Sequence, residues 1–430
     1  MKRYLLIILL FFFVAFSAQN FIKVSENHFI KDGKPYYFIG TNYWYGGMLG
    51  AKNGDRERLK KELDELQSLG ITNLRVMASA EGGDQDFTVF PATQPSQGKY
   101  NKELLEGLDF FLNELRKRNM DAVLYLTNNW EWSGGMSKYL EWNGYGPIPN
   151  PNIGNYTWAE FMSYTSQFQK CEPCKKAYLN HVKKMLARKN SVNGILYSQD
   201  KTIMAWEVAN EPRIWNTENE KAFTEWINDV VNTIKKIDKN HLVTTGSEGS
   251  IGSNVDIKAF ERTHKNPNID YLTIHIWPKN WEWYKINDKE KNLDFAIKKT
   301  EEYIDEHIKV ALHLKKPLVL EEFGFPRENE SLDKTSSAIE RNLYYEYILK
   351  KVKNSIQEGL PLTALNFWGY SGVAKNNPKD GKWHKGNDFT TDPPHEPQGL
   401  NSVFSTDTST LNLLHKMSVE FSKISPNKNK

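Results

Sequence analysis

Cysteine is nearly absent from this 430-residue chain: only Cys171 and Cys174 occur, in the stretch CEPC. There is no second Cys pair and no His pair at finger spacing, so a four-ligand structural zinc site is not supported. In an exported chain a local disulfide between the two is the natural reading, although CxxC is also an oxidoreductase spacing. A bridge that closes so short a loop adds little global stability. HExxH is missing too, so no catalytic metal is expected, and the lack of a Walker loop or a GxGxxG turn points to no nucleotide cofactor. No GxSxG marks a serine-hydrolase elbow. Charge of one sign is not in excess: 56 Lys and Arg face 53 Asp and Glu, a net of +3. A basic stripe for nucleic acid is therefore not expected. Long apolar runs are confined to the N-terminus. There Lys2 and Arg3 precede the apolar run Tyr4 to Phe16, with Ser17 and Ala18 behind it. This is the pattern of a secretory signal peptide over residues 1–18. The run is short against the about 20 residues that span a bilayer, though an uncleaved anchor is the competing reading. The sequence thus reads as secreted, extracellular or periplasmic, with no stable membrane association after cleavage.

Aromatic residues are plentiful, at 13%, with 13 Trp and 20 Tyr. Flat rings in such numbers suit either a large aromatic core or stacking on sugars. After the leader, strand-like runs alternate with amphipathic stretches. The runs are YYFIGTNYW, ITNLRVMA, DAVLYLTNNW, TIMAWEVANEP, HLVTTGSEG, YLTIHIW, KPLVLEEF and LTALNFWGY. Several are apolar on both parities, as in parallel strands covered on both faces. Helical stripes fall on Leu59, Leu63 and Leu66 with Gly70 as a stop, on Leu104, Leu108, Phe111 and Leu115, on Phe223, Ile227, Val230 and Ile234, and on Ile339, Leu343, Tyr347 and Ile348. Eight strands alternating with helices predict an α/β fold, a (β/α)8 TIM barrel. A doubly wound sheet is the alternative. Without a repeat or a Pro- or Ser-rich linker, residues 19–425 read as one catalytic domain and 426–430 as a frayed tail. Nothing points to an oligomer, so a monomer is expected.

In such a barrel the C-terminal strand ends share one face. They carry Arg75, Asn128, Asn129, Trp130, Asn210, Glu211, Arg213, Glu248, His275, Trp277, Glu321, Glu322, Trp368 and Tyr370, with Trp281 and Trp283 just beyond. Carboxylates on two different strands suit glycoside hydrolysis, where one carboxyl protonates the departing oxygen and the other attacks or activates water. A cation such as Arg75 would keep one ionised, while burial would retain the proton on the other. Strand parity puts Leu318, Leu320 and Glu322 on one face and Glu321 on the other, pointing Glu321 away from the reaction, toward a supporting partner or solvent. Glu207 shares parity with Glu211. It reads either as a deep ion-pair partner or as an outward polar residue.

The ordered set GTNYWY, NNW, WEVANEPR, SEG, HIWPKNW, EEFG, FWGYSG and DPPHEPQGLNSVF resembles glycoside hydrolase family 5, and within it the endo-β-1,4-mannanases. The resemblance implies a retaining endo-hydrolase acting on mannan, glucomannan or galactomannan. It makes Glu211 the acid/base, Glu322 the nucleophile and Arg75 the cation that keeps Glu322 ionised. Asn210 would bond the hydroxyl beside the anomeric carbon, His275 would sit near the acid/base, and Trp368 would floor the cleavage point. Trp130, Arg213, Glu248 and Trp281 match sugar-contacting positions, with a structural ion pair as the competing reading for Arg213 and Glu248. Trp132, Trp283 and Trp383 read as loop packing. One departure stands out. Trp277 occupies the place of a usual Tyr, and an indole donates one hydrogen bond but accepts none. An endoglucanase, or a barrel that binds polysaccharide without cutting it, are the remaining alternatives.

Overall fold

A computed structural model describes residues 20–376 and 380–424; the leader over 1–18 and the tail at 426–430 lie outside them. Eight parallel strands form the central sheet: β1 (Phe38–Asn42), β2 (Asn73–Met77), β3 (Asp121–Tyr125), β4 (Ile203–Glu207), β5 (Leu242–Thr244), β6 (Leu272–Ile276), β7 (Leu318–Phe323) and β8 (Leu362–Phe367). Every residue in them is buried, which accounts for their apolar character on both parities. The ladder runs β5-β4-β3-β2-β1-β8-β7-β6. The seam between β5 and β6 closes through Asp270 N–H on the Val243 carbonyl (2.8 Å) and His275 N–H on the Glu248 carbonyl (3.1 Å). The chain is therefore a (β/α)8 barrel.

A barrel helix follows each strand: α1 (Arg56–Ser68), α2 (Lys102–Lys117), α3 (Glu172–Leu186), α4 (Glu220–Ile237), α5 (Ile257–Thr263), α6 (Leu293–Leu314), α7 (Ile339–Gln357) and α8 (Thr408–Phe421), with extra helices Gly46–Gly50 after β1 and Gly135–Trp142 and Trp158–Thr165 after β3. Local chemistry starts and stops them. The Asp55 side chain accepts from Arg58 N–H at the start of α1, and Asn101 does the same for α2. Gly70, at φ +75°, follows the end of α1 as expected. The predicted stripes of α1, α2 and α4 all face the core. The stripe for α7 has the wrong phase. Ile339 and Leu343 are exposed, while Tyr344, Tyr345, Ile348, Leu349 and Val352 pack inward. The reason is Arg341, which lies inside and donates to the carbonyls of Phe325, Ser402 and Leu400. Those three bonds turn a polar residue to the core face and push two apolar ones out. Cys171 and Cys174 are disulfide-bonded at the N-terminus of α3.

The sequence reading did not foresee the floor. Strands Lys23–Ser25, His28–Lys31 and Lys34–Tyr36 form an antiparallel sheet, turning at Asp32 and Gly33, both at positive φ. Ile22 and Phe29 pack there with Phe38, Val123, Met204, Tyr271 and Val319. Lys31 and Tyr36 bind Asp121 at the start of β3. The opposite, C-terminal end is left for the long loops after β3 and β8.

Candidate active site

Glu211 lies just past β4 in the left-handed region (φ +51°), an uncommon conformation for a residue with a side chain. Its backbone N–H is tied to the Gly246 carbonyl. Gly246 is obligatory, because a Cβ there would come within about 2.0 Å of the Ala209 carbonyl oxygen and 2.1 Å of Glu207 Oε1. Glu322 ends β7. Carboxylate oxygens of Glu211 and Glu322, with a ring nitrogen of His275, fall within 4.8 Å of one another. By spacing alone the trio could hold a cation. Its carboxylates, however, already accept from N–H donors on both sides, a setting for proton and nucleophile chemistry.

Those donors are specific. Glu322 Oε2 accepts from Arg75 Nη1 (2.7 Å) and Oε1 from the Trp277 indole N–H (2.9 Å). The departure at Trp277 thus supplies a donor to Glu322. Its ring also explains the glycine of EEFG: a Cβ on Gly324 would meet the Trp277 ring at 2.5 Å. Glu211 bonds His275 Nδ1 at 2.8 Å and accepts from the Trp130 indole N–H. Burial and the charge of Glu211 hold Glu322 above the ordinary carboxylate range, against the pull of His275 and Arg75. Burial also opposes the charge of Glu211, but the bond and charge of His275, with Arg213 behind them, outweigh it and hold Glu211 low. Burial likewise opposes the charge of His275, yet Glu322, Glu211 and Glu321 push the imidazole up to about 10. These directions favour an imidazolium at His275, one hydrogen bond from an ionised Glu211.

Arg75 and His275, grouped from sequence with the substrate-contacting residues, are fully buried behind the carboxylates and do not line the cavity. Glu207 resolves as a deep ion-pair partner, bound by Arg75 at 2.5 Å. Of its two expected directions, supporting partner or solvent, Glu321 takes the first. The register between β7 and β6 shifts between Leu320 and Glu322, so that Leu320 pairs Ile274 and Glu322 pairs His275. This bulge breaks strict alternation. Glu321 is buried beside Arg75 (3.6 Å) and His275 (3.8 Å) rather than facing solvent.

Above the carboxylates is a cavity of about 370 Å³, within the range of small-ligand sites. Trp130, Asn210, Arg213, Glu248, Trp277, Trp281 and Trp368 line it, as expected. Asn210 is anchored by Arg75 and Asn128. Arg213 and Glu248 form a two-bond ion pair at the wall, the guanidinium lying 4.8 Å from the Trp130 ring centre. Trp277 and Trp368 meet edge to face. Trp132, expected to pack loops, rests on Trp44 but also reaches the cavity. Trp283 packs on Trp281 and Tyr303, and Trp383 on Phe389.

Sequence reasoning missed Trp158, Asn280, His395 and Glu396, all on the lining. Trp158 starts a helix (Trp158–Thr165) inserted between β3 and α3, is 42% exposed and stands edge-on to Trp130. Half-buried Glu396 is pushed up to about 8 by burial and by the charges of Asp392, Glu322 and Glu211. Asn280, His395 and Glu396 lie within the stretches HIWPKNW and DPPHEPQGLNSVF that carried the resemblance, and only Trp158 lies outside every such stretch.

A family model described as glycoside hydrolase family 5, β-mannosidase-like, matches residues 19–426. Mannan endo-1,4-beta-mannosidase 1 of Oryza sativa subsp. japonica is 30% identical over 363 residues, 81% of this chain and 78% of the relative. A solved glycoside hydrolase family 5 mannosidase from Rhizomucor miehei superposes with a TM-score of 0.86 at 33% identity, covering 94% of this chain and 98% of that one. An endo-1,4-beta-mannanase from the same organism, at 23% identity and TM-score 0.68, shares the fold. The chain belongs to glycoside hydrolase family 5 and is a glycoside hydrolase.

Proposed function

We propose that the protein is a retaining endo-hydrolase of β-1,4-linked mannan, glucomannan or galactomannan. The observation that carries the mechanism is the closeness of the two carboxylates, one oxygen of Glu211 lying within 4.8 Å of one of Glu322. Double displacement uses carboxyls about 5–5.5 Å apart, whereas inversion needs roughly 6.5–9.5 Å for an intervening water. Glu322 attacks the anomeric carbon as Glu211 passes a proton to the departing glycosidic oxygen. A covalent glycosyl-enzyme forms and the aglycone leaves. Glu211, now ionised, takes a proton from water, whose oxygen displaces Glu322. Arg75 and Trp277 favour the ionised form of Glu322 against its burial and aim it, and Asn210 lies at the cavity beside the pair. The mannan substrate rests on the relatives, whose names carry it.

A second reading has specific support. The matched family model and the Rhizomucor miehei structure are described as mannosidases, and Pro393, His395 and Glu396 wall the cavity. In that reading mannose is removed from chain ends. Product analysis over the first per cent of mannan hydrolysis separates the two. Mixed oligosaccharides with a steep viscosity fall support internal cutting, and mannose alone supports end trimming. Azide added to Glu322→Ala should restore turnover and give a glycosyl azide of inverted configuration; Glu322→Ala with near-normal activity would remove Glu322 as nucleophile.

The same reading has the protein exported by its leader and acting as a monomer off the membrane. Among the described residues no helix is long and apolar enough to cross a membrane. N-terminal sequencing of the culture-medium form and its sedimentation test both points.

A further inference from the structure

Arg75 cannot satisfy Glu321. A guanidinium has five N–H donors, and all five are committed. Nε and one Nη2 hydrogen serve Glu207, the other Nη2 hydrogen serves Asn210, and Nη1 serves Asn42 and Glu322. Glu321 Oε2 is buried without a hydrogen-bond partner, and so is His275 Nε2. These two orphaned atoms face each other at 3.8 Å. An unsatisfied buried polar pair is costly unless its members serve each other. Around them the interior holds four carboxylates, Glu207, Glu211, Glu321 and Glu322, against one guanidinium. Glu248 also acts on His275 from past β5, and Tyr271 lies toward Glu321 from the foot of β6. An imidazolium is the second cation this cluster calls for.

We propose that Glu321 is a positioning residue that keeps the proton on His275 Nε2, so that Nδ1 exchanges one proton with Glu211 along their 2.8 Å bond. The β7 bulge places Glu321 for this purpose, which gives both glutamates of EEFG a task. In the first step the proton passes from Nδ1 to Glu211 and on to the departing oxygen. In the second, Glu211 recovers a proton from water and shares it with Nδ1. Throughout, the Nε2 proton stays toward Glu321. No redox partner or metal enters the balance.

The inference rests on the proposed retaining mechanism, and its test keeps the two apart. The wild-type enzyme is assayed first on mannotriose and on 2,4-dinitrophenyl β-mannoside, whose leaving group departs without a proton. Turnover of neither substrate, nor of mannan itself, removes the functional reading while leaving the His275 question to the spectroscopy below. Glu321→Gln and Glu321→Asp are then compared across pH. The Glu321 charge favours the protonated pair, so its loss lets that proton leave at lower pH. The alkaline limb of kcat/KM for mannotriose should move at least one pH unit toward acid in Glu321→Gln, about a tenfold loss at a fixed pH above it. The loss on the dinitrophenyl substrate should be at least tenfold smaller. Glu321→Asp, which keeps the charge, should hold the limb. Equal losses on both substrates at every pH, with the limb unmoved, would overturn the proposal. Should Glu321→Gln not fold, ¹⁵N shifts of His275 in the native enzyme decide: Nε2 protonated from pH 5 to 9 is expected, and a bare Nε2 at pH 7 overturns it.

Discussion

Replacing Trp277 by Phe deletes the indole N–H that reaches Glu322 Oε1 at 2.9 Å and keeps an aromatic ring over Gly324. Glu322 is then left with Arg75 as its donor, and that guanidinium is shared with Glu207, Asn42 and Asn210. A hydrogen bond to a charged group contributes about 1.5–3 kcal/mol. One pKa unit corresponds to about 1.4 kcal/mol, so losing the donor should raise the Glu322 pKa by roughly one to two units. The sign follows from which form is stabilised. The N–H favours the ionised carboxylate, and its loss favours the proton. Glu322 must be ionised to attack, so the acid limb of kcat/KM should move up by that one to two units. At a pH below the original limb, activity on an aryl β-mannoside should fall roughly ten- to hundredfold. On the plateau the change should be smaller, because the charge being stabilised is consumed in the attack. The assay is initial rate against pH for wild type and variant, with a folding check by circular dichroism. An unmoved acid limb in a folded Trp277→Phe enzyme would refute the assignment of this indole as the support of the nucleophile.

Three further expectations concern the walls of the site and one bridge. Arg213→Met leaves Glu248, which is almost fully buried, without its cation, and should cost about 3–5 kcal/mol in chemical denaturation. Arg213→Met with Glu248→Gln should recover much of that loss, and an unchanged stability in the single variant would count against the burial argument. Trp158→Ala should raise KM for long manno-oligosaccharides about fivefold, from the loss of about 1 kcal/mol of ring contact, while kcat/KM for an aryl monomannoside stays within twofold. Replacing both Cys171 and Cys174 by Ser should lower stability by at most about 2 kcal/mol, because the bridged loop is so short, as read from a denaturant midpoint.

Much of the architecture was legible because its signals are repetitive. Eight apolar runs separated by stripes such as Leu104, Leu108, Phe111 and Leu115 leave few alternatives to a barrel, and a barrel gathers its strand ends onto one face. Glu211, Glu322, Trp130 and Trp368 could therefore be grouped before any coordinate was known. Three things could not be read, each for a physical reason. Parity left Glu321 between a supporting partner and solvent, since alternation holds only while the ladder is regular and the bulge in β7 is invisible to a two-residue period. The phase of α7 was misread because Arg341 spends its hydrogen bonds on three loop carbonyls inside the barrel wall. Trp158, His395 and Glu396 depend on how the loops after β3 and β8 fold back over the strand ends, and loop geometry carries no periodicity. The floor sheet was overlooked although its Asp32–Gly33 turn is a hairpin signal.

The central claim is covalent catalysis by Glu322 at a retaining site. Its most direct test is to treat the enzyme with a 2-deoxy-2-fluoro-β-mannosyl fluoride, which traps the glycosyl-enzyme, and to map the label by peptide mass spectrometry. The account predicts one mannosyl label per chain, on Glu322 and not on the adjoining Glu321. Label on Glu211 or Glu321, or full turnover of mannan by an enzyme that never acquires a label, would contradict it.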